Sequence, residues 1–194
     1  MTDAPLPSHT DARNLAGVAH PTRVRILALL RTEGPTTATA LAARLGLNSG
    51  ATSYHLRRLA EHGFVVDDPT RGNRRERWWK AAQDSTAPPE DGDLTDDTGL
   101  GVGYLRSVAR VQSEDMLAAV DALPALPAKW RAAFDLSDYA LRLSPEAAIA
   151  LNAELHAVLR RYAGDMPTLQ EHSEGTARLT VQLQMFPDLG DVER

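Results

Sequence analysis

The chain has 194 residues, 43% hydrophobic and 24% charged, which is the usual mix of a globular protein and leaves no apolar run near the roughly 18 residues of a membrane span. It contains no cysteine, so disulfides, thiolate metal ligands and cysteine nucleophiles are excluded. The formal net charge of −5 is divided unevenly, at +7 over residues 13–82 and −10 over residues 83–194. A basic first half predicts a polyanionic partner for that part of the chain.

The composition predicts four regions. Residues 1–12 lack the basic start and apolar core of a secretory signal, and predict a disordered leader on a cytoplasmic protein. Residues 13–82 carry the helix and hairpin signals of a first domain. Residues 83–98 hold six acids, two prolines and no base, and predict a linker that cannot bury enough apolar surface to order itself. Residues 99–194 form the remaining region.

Two helices are predicted after the leader. Pro21 opens the first, HPTRVRILALLRTEG, which ends at Gly34 and places on its inner side Val24, Leu27, Ala28 and Leu30. Thr36 or Thr37 caps the second, ATALAARL, and Gly46 is placed to close it in the left-handed conformation.

A third helix is predicted to follow the cap residue Asn48 and to run to about His62, where Gly63 stops it. Its docking stripe consists of Thr52, Leu56, Leu59 and Gly63. After it, FVVDD and RRERWWKA predict two strands joined by the glycine-containing turn PTRGN. A helix, a short helix, a tight turn, a polar helix and a basic hairpin are, in this order, the components of a winged helix-turn-helix.

Three segments, HPTRVRILALL, LAARLGLNSGATSYHLRRLAEHGFV and RERWWK, resemble the DNA-binding domain of arsenical-resistance-repressor (ArsR) type regulators. The resemblance covers roughly Leu15 to Ala82. Its most specific part is the run S-Y-H-L-R-R-L-x-x-x-G-F-V, from Ser53 to Val66. The resemblance implies a winged helix-turn-helix fold, double-stranded DNA as the partner and a homodimer.

The outer face of the third helix has the side chains that a helix in the major groove needs. That groove is about 12 Å wide and admits one α-helix, which needs small residues at its N-terminal end and donors one turn further on. The candidates on this helix are Ser49, Gly50, Ser53, Tyr54, Arg57 and Arg58. The hairpin predicts a wing lying along phosphates or in the minor groove, with candidates Arg71, Arg74, Arg75 and Arg77. Each arginine fits either a base edge or a phosphate, so these two roles stay open.

Each feature also has an ordinary structural alternative. Two arginines on a surface helix are usually a solvated face. His55, at the flank of the docking stripe, is predicted to pack against the domain rather than to read a base. Trp78 and Trp79 point to opposite faces of a strand, so one belongs to the core and the other to the surface or to a dimer contact.

No metal, cofactor or catalytic site is predicted. Metal sensing is the activity best known for the resembled regulators, but their cysteine-bearing sensor positions correspond here to Thr37 and Thr39, which are poor ligands for soft metals. The six histidines offer no i, i+3 or i, i+4 pair, and His55 and His62 are about two turns, roughly 10 Å, apart. Since no paired carboxylates, triad order or phosphate loop occurs in a plausible context, the chain is not predicted to be an enzyme.

Residues 99–194 predict a helical region with a small sheet, which makes the whole chain mainly α with small β elements. A helix over Leu100–Leu123 is the candidate for dimerisation, with packing inside the chain as its alternative. Ser144 and Pro145 start a further helix, and AFDLSDYALRL and RLTVQLQMF are candidate strands beneath it. Such a layer leaves room for a small-molecule effector, or its aromatic residues only complete a core; they are Trp130, Phe134 and Tyr139.

The sequence therefore predicts a cytoplasmic transcriptional regulator that binds a pseudo-palindromic operator as a homodimer. The dimer is implied by the resemblance and by geometry, since two recognition helices about 34 Å apart gain specificity from the spacing of half-sites. A competing prediction is an interaction protein, in which the winged helix and the acidic half dock another protein.

Overall fold

The computed structural model describes residues 12–71, 76–83, 99–164, 175–188 and 190–192. Apart from Ala12 and Gln83, the predicted leader and the predicted linker lie outside these residues. The chain divides into two compact units, Met1–Asp121 and Ala122–Arg194. The region predicted from residue 99 onwards is thus divided, because most of its first helix is grouped with the first unit.

The first unit opens with two helices, α1 (Ala12–Leu15) and α2 (Pro21–Glu33). α2 starts at the predicted residue, because Pro21 fixes the backbone of the first turn and the His20 imidazole accepts a hydrogen bond from the backbone N–H of Thr22 at 3.1 Å. The short helix α1 was not predicted, since four residues are too few to show a hydrophobic period.

The predicted inner side of α2 is wrong at one position. Ala28 is exposed, whereas Ile26 is fully buried together with Leu27 and Leu30. At about 100° per residue, Ala28 lies about 160° around the helix from Leu30, so it faces away from the buried arc. Alanine is small enough to occur on the buried or the exposed side of a helix, so the hydrophobic pattern alone placed Ala28 on the wrong side.

The second predicted helix is α3 (Ala38–Leu45), and both of its predicted ends are confirmed. The Thr37 hydroxyl oxygen accepts a hydrogen bond from the backbone N–H of Ala40 at 3.2 Å. Gly46 adopts the left-handed conformation, with φ 65° and ψ 31°, and its N–H donates to the Ala42 carbonyl. This tight end is the turn that leads into the third helix.

The third predicted helix is α4 (Ser49–Glu61), which is also confirmed. The Asn48 side-chain oxygen accepts a hydrogen bond from the backbone N–H of Ala51 at 2.8 Å. Gly63, with φ 76°, follows the last turn of the helix. The docking stripe is confirmed at Thr52, Leu56 and Leu59, which are all fully buried, but not at Gly63, which is exposed because it lies beyond the last turn of the helix.

A three-stranded antiparallel sheet completes the winged helix-turn-helix fold, and its strands are β1 (Thr36–Thr37), β2 (Val65–Asp67) and β3 (Trp78–Ala81). The order is β1-β3-β2, so β3 lies in the middle. The two strands of the hairpin were predicted, but β1 was not, because two residues cannot show an alternation. The sheet also separates the two tryptophans: Trp79 is buried in the core and Trp78 is half-buried.

One apolar core joins the helices to the sheet. It includes Leu15 from α1, Val18 from the turn before α2, the inner side of α2, the docking stripe of α4, and Trp79 from β3. Complete burial of these leucine, isoleucine and valine side chains stabilises the domain by about 1.5–3 kcal/mol each. The core therefore fixes α4 on α2 and leaves the opposite side of α4 outside.

The long helix α5 (Leu100–Ala122) follows, close to its predicted bounds. Its buried residues are Gly101, Ser107 and Val111, and Tyr104 packs against the core of the first unit. Arg25 of α2 joins the two helices by ion pairs with Glu114 and Asp115, at 2.7 and 2.9 Å. Other apolar residues of α5 are exposed, among them Leu105, Leu117 and Val120.

The second unit holds a 3-10 turn (Leu123–Ala125), α6 (Ala128–Arg131) and α7 (Pro145–Gly164). α7 starts as predicted, since the Ser144 hydroxyl oxygen accepts a hydrogen bond from the backbone N–H of Ala147 at 3.3 Å. Residues 132–144 and 176–188, which the structure describes throughout, form no strand, so the small sheet predicted there is wrong. Alternating polarity specifies which face of a strand is apolar, but it supplies no hydrogen-bonding neighbour.

The mainly α fold class with small β elements is confirmed. Among the residues that the structure describes, no helix is long and apolar enough to cross a membrane.

Candidate nucleic-acid interface

The outer face of α4 presents most of the predicted DNA-binding residues. Ser49 and Gly50 are exposed in its first turn, and Ser53 is half-buried one turn further on. The Tyr54 side chain is 52% exposed, and Arg57 is exposed beyond it. Small residues therefore occupy the N-terminal end of this surface and long polar side chains occupy its middle, as close approach to base edges requires.

The two adjacent arginines of α4 differ in their surroundings. Arg58 forms an ion pair with Glu61, at 2.6 Å, one turn along the same helix. Arg57 forms no ion pair with any residue that the structure describes. The guanidinium group of Arg57 is thus the one whose donors are available to a partner, and a guanidinium can bond the two acceptors of a guanine edge or the oxygens of a phosphate.

The wing arginines are only partly described. Arg71 is exposed at the end of the turn after β2. Arg77 donates a hydrogen bond to Asp67 at 3.0 Å, and its guanidinium lies 4.1 Å from the ring centroid of Trp79. Arg77 is therefore bound to the sheet itself, and it braces the base of the hairpin. Arg74 and Arg75, with the predicted turn at Gly72 and Asn73, lie outside the described residues.

Asp68 holds the turn that leads from β2 into the wing. Its carboxylate is buried and accepts hydrogen bonds from the Thr70 hydroxyl at 2.6 Å and the Thr70 backbone N–H at 3.2 Å. Hydrogen bonding from the Thr70 hydroxyl is the main cause that lowers the pKa of Asp68. Its backbone N–H donates to the Trp78 carbonyl at 2.8 Å, so the turn is tied to the start of β3.

A cationic and histidine-rich cluster lies on the flank of α4, and the sequence pattern did not reveal it. The rings of His20 and His55 lie with centroids 4.8 Å apart, and the ring of Tyr54 meets that of His55 edge-on at 5.4 Å. Arg23 donates a hydrogen bond to the Ala16 carbonyl at 3.0 Å. His55 packs as predicted, but its partner is thirty-five residues away in sequence, and no spacing rule connects the two.

The groups of this cluster repel one another. Burial is the main cause that lowers the pKa of His20, His55 and Arg23. The charge of His20 and then that of Arg23 lower the pKa of His55 further, the charge of Arg23 lowers that of His20, and the charge of Arg58 lowers that of Arg23. Arg23 therefore supplies the positive charge of the cluster next to the outer face of α4, whereas the charged form of both histidines is disfavoured.

A shallow cavity of about 330 Å³ opens beside His20, where α2 meets α5. The residues around it are His20, Pro21, Thr22, Arg25, Arg110 and Glu114. The carboxylate of Glu114 accepts hydrogen bonds from Arg25 at 2.7 Å and from Arg110 at 3.0 Å. The bond from Arg25 is the main cause that lowers the pKa of Glu114, and the bond from Arg110 is the second. The polar groups at this junction thus satisfy one another.

The residues predicted to line a small-molecule site lie in the second unit and differ in exposure. Trp130 and Phe134 are half-buried, whereas the Tyr139 side chain is 85% exposed. Tyr139 therefore lines no concave space within the described part of this unit. The described residues contain no cluster of three side chains that could hold a metal ion.

The comparisons with known proteins bear on the first unit. Residues 18–68 match the helix-turn-helix domain family, a segment that includes α2, α3 and α4. No curated protein matches the chain. A helix-turn-helix segment with a sheet beside it, and with an exposed polar helix face, supports a DNA-binding transcriptional regulator and not an enzyme.

Two solved structures were compared with the whole chain. ZitR of Lactococcus lactis, a mutant in its apo form, aligns over 74% of this chain and 83% of its own, with 15% identity and a TM-score of 0.33. The transcriptional regulator Tm0710 from Thermotoga maritima aligns over 76% of this chain and 81% of its own, with 15% identity and a TM-score of 0.31.

Proposed function

We propose that the protein is a sequence-specific DNA-binding regulator that inserts α4 into the major groove of a pseudo-palindromic operator. The observation that carries this proposal is the division of α4 into two faces. One face, with Leu56 and Leu59, is fully buried, and the other presents the exposed side chains of Tyr54 and Arg57. A helix fixed by its buried face offers base-reading groups in a constant orientation, which direct readout requires.

The wing supports α4 by contacting the DNA backbone. Arg71 is exposed at the start of the wing, and Arg74 and Arg75 follow it in sequence. Phosphate contacts carry little sequence information, but they fix the register of the protein on the duplex and supply salt-dependent affinity. Arg77 acts indirectly in this proposal, because its contacts with Asp67 and Trp79 hold the base of the hairpin in place.

A homodimer places two recognition helices on the operator, and α5 supplies the contact. Leu105, Met116 and Val120 occupy one side of α5, and Leu105 and Val120 are exposed although they are apolar. An apolar stripe in water is a common mark of an interface between chains. We infer an ArsR-like dimeric regulator in the cytoplasm, with a small-molecule effector bound near Trp130 and Phe134 as a further proposal.

Selection of bound duplexes from a random DNA library tests the proposed function. We expect enrichment of a sequence with two-fold symmetry and half-sites about 10–11 base pairs apart, because that spacing matches one turn of DNA. The affinity of the full chain for the selected operator should fall steeply with salt. No enrichment and no salt-sensitive binding would instead support the interaction protein, whose winged helix docks another protein.

A further inference from the structure

We propose that Arg23, His20 and His55 form an anion site beside the recognition helix that takes a backbone phosphate of the operator. The proposal rests on the proposed function, because the phosphate belongs to the DNA that α4 binds. It adds residues of α2 to an interface that was otherwise assigned to α4 and the wing.

The geometry of the site brings two segments together. His20 precedes α2, and its ring lies 4.8 Å from that of His55 on α4, measured between centroids. Arg23 lies one turn into α2, and its side chain is anchored by one hydrogen bond to the Ala16 carbonyl at 3.0 Å. All three residues are half-buried, so part of each side chain is exposed and part is held by packing.

The site lacks a partner for its positive charge. The Arg23 Nε and the His55 Nδ1 are buried and have no hydrogen-bonding partner in the described chain. No carboxylate among the described residues pairs with Arg23, in contrast to Arg25 on the same helix, which holds both Glu114 and Asp115. A guanidinium that is partly removed from water without a counter-ion is costly, and an incoming anion offsets that cost.

The position of the cluster next to the exposed face of α4 indicates that the anion belongs to DNA. The Tyr54 ring contacts the His55 ring at 5.4 Å, and Tyr54 is exposed on the face that enters the groove. A recognition helix in the major groove is flanked on both sides by phosphates, and a donor beside its base-reading face meets the strand at that edge. A fork of guanidinium donors and an imidazole N–H match the oxygens of a phosphate diester.

Proton uptake follows from the same arrangement. In the free protein, burial, with neighbouring positive charge as a second cause, lowers the pKa of His20 and of His55. The Nδ1 of His20 accepts from the Thr22 N–H, so His20 stays neutral and offers only its Nε2 side to the phosphate. A bound phosphate stabilises the protonated form of His55 and raises its pKa, so the complex binds more protons than the free protein. Operator affinity should therefore rise as the pH falls through this range. The charged and titratable groups around His20, His55 and Arg23, from α2, α4 and α5, are Arg25, Tyr54, Arg58, Arg110 and Glu114.

The test compares Arg23→Gln with the wild type on the selected operator. Each phosphate contact contributes about 0.9 to the slope of log affinity against log salt, and Arg23→Gln should lose about that amount. Arg23→Lys keeps a positive charge and should retain the slope. Arg160→Gln removes the same charge from an exposed position of α7 in the second unit, and serves as the matched control with an unchanged slope. Melting curves of all variants establish that each one folds.

A second readout uses the histidines. His55→Gln should reduce the gain in operator affinity that the wild type shows between about pH 8 and pH 6, while the recognition contact of Arg57 is left in place. The proposal is overturned if Arg23→Gln and His55→Gln keep both the salt slope and the pH dependence of the folded wild type. It is also overturned if inorganic phosphate raises the melting temperature of the wild type but not of Arg23→Gln while their salt slopes agree, because the occupant is then a free anion. Failure of the wild type to bind any duplex rejects the proposed function instead.

Discussion

Gly17 lies directly against the side chain of His62, so the backbone of the turn before α2 contacts the C-terminal end of α4. A Cβ atom placed on Gly17 would come within 2.5 Å of the His62 Cβ and 2.6 Å of its Cγ. These are the inner atoms of the imidazole side chain, which cannot move away without a shift of the helix end. The contact explains why a residue without a side chain occurs between Leu15 and Val18, which are both fully buried.

We predict that Gly17→Ala destabilises the first unit by about 1–3 kcal/mol, the usual cost of overpacking a closed contact. Urea or thermal unfolding of the full chain measures this change. The matched control is Gly103→Ala in α5, where the added Cβ would lie 3.8 Å from the Ala19 Cβ, an ordinary contact. That control should gain about 0.5–1 kcal/mol, because alanine favours a helix interior. Equal effects of the two substitutions would contradict the close packing at Gly17.

Arg57 is predicted to read a base. Because its guanidinium forms no ion pair among the described residues, Arg57→Ala should weaken operator binding by about 1–3 kcal/mol and relax specificity at one position of each half-site. Binding to random duplex DNA should change much less. Fluorescence anisotropy on both duplexes measures the difference, and an equal loss on the two would assign Arg57 to a phosphate.

The wing is predicted to contribute phosphate contacts. Replacement of Arg74 and Arg75 by alanine should weaken binding to every duplex and reduce the salt slope by up to about two phosphate units. Arg77→Ala should instead lower the melting temperature of the free protein, because its partners are Asp67 and Trp79 of the sheet. A salt slope that stays at the wild-type value in the double variant would remove the wing from the interface.

The elements with local signals could be predicted from the sequence. Cap residues such as Thr37 and Asn48, and the left-handed Gly46, act within a few residues of their own position. The bounds of α3 and α4 could therefore be predicted from the sequence. The His20–His55 contact could not be predicted, because it depends on how two helices cross in space. The same limit applies to β1, whose two residues become a strand only through pairing with β3.

The dimer contact proposed for α5 is predicted to depend on the exposed apolar side of that helix. Leu105→Glu combined with Val120→Glu should convert the dimer to a monomer in sedimentation experiments and weaken operator binding, since a charge inside an apolar interface is costly. Ala118→Glu is the control on the same helix, because Ala118 is also exposed but lies about 140° around the helix from Leu105 and about 160° from Val120. A double variant that stays dimeric would move the interface away from α5.

Acid is predicted to destabilise the DNA-free protein through the histidines around α4. The pKa values of His20, His55 and His62 are lowered from the ordinary value of 6.5, mainly by burial. At a pH between the lowered folded-state pKa values and the unfolded-state value of about 6.5, the unfolded chain binds more protons than the folded chain. The stability that is present above about pH 6.5 is therefore lost as the pH falls towards and through the folded-state pKa values. The melting temperature should decline from about pH 7 to pH 5, before the carboxylates titrate.

His55→Gln isolates the share of one histidine in this decline. The variant keeps a polar side chain at the position but has no group that titrates near neutral pH, so its melting temperature should fall less steeply over the same range. His156, on α7 in the second unit, is exposed and provides the matched substitution, His156→Gln, which should keep the wild-type slope. If His55→Gln and His156→Gln melt with the same pH dependence as the wild type, the burial of His55 against His20 does not disfavour its charged form. The cluster would then be hydrated and not packed, and its unpaired guanidinium would need no anion from the DNA.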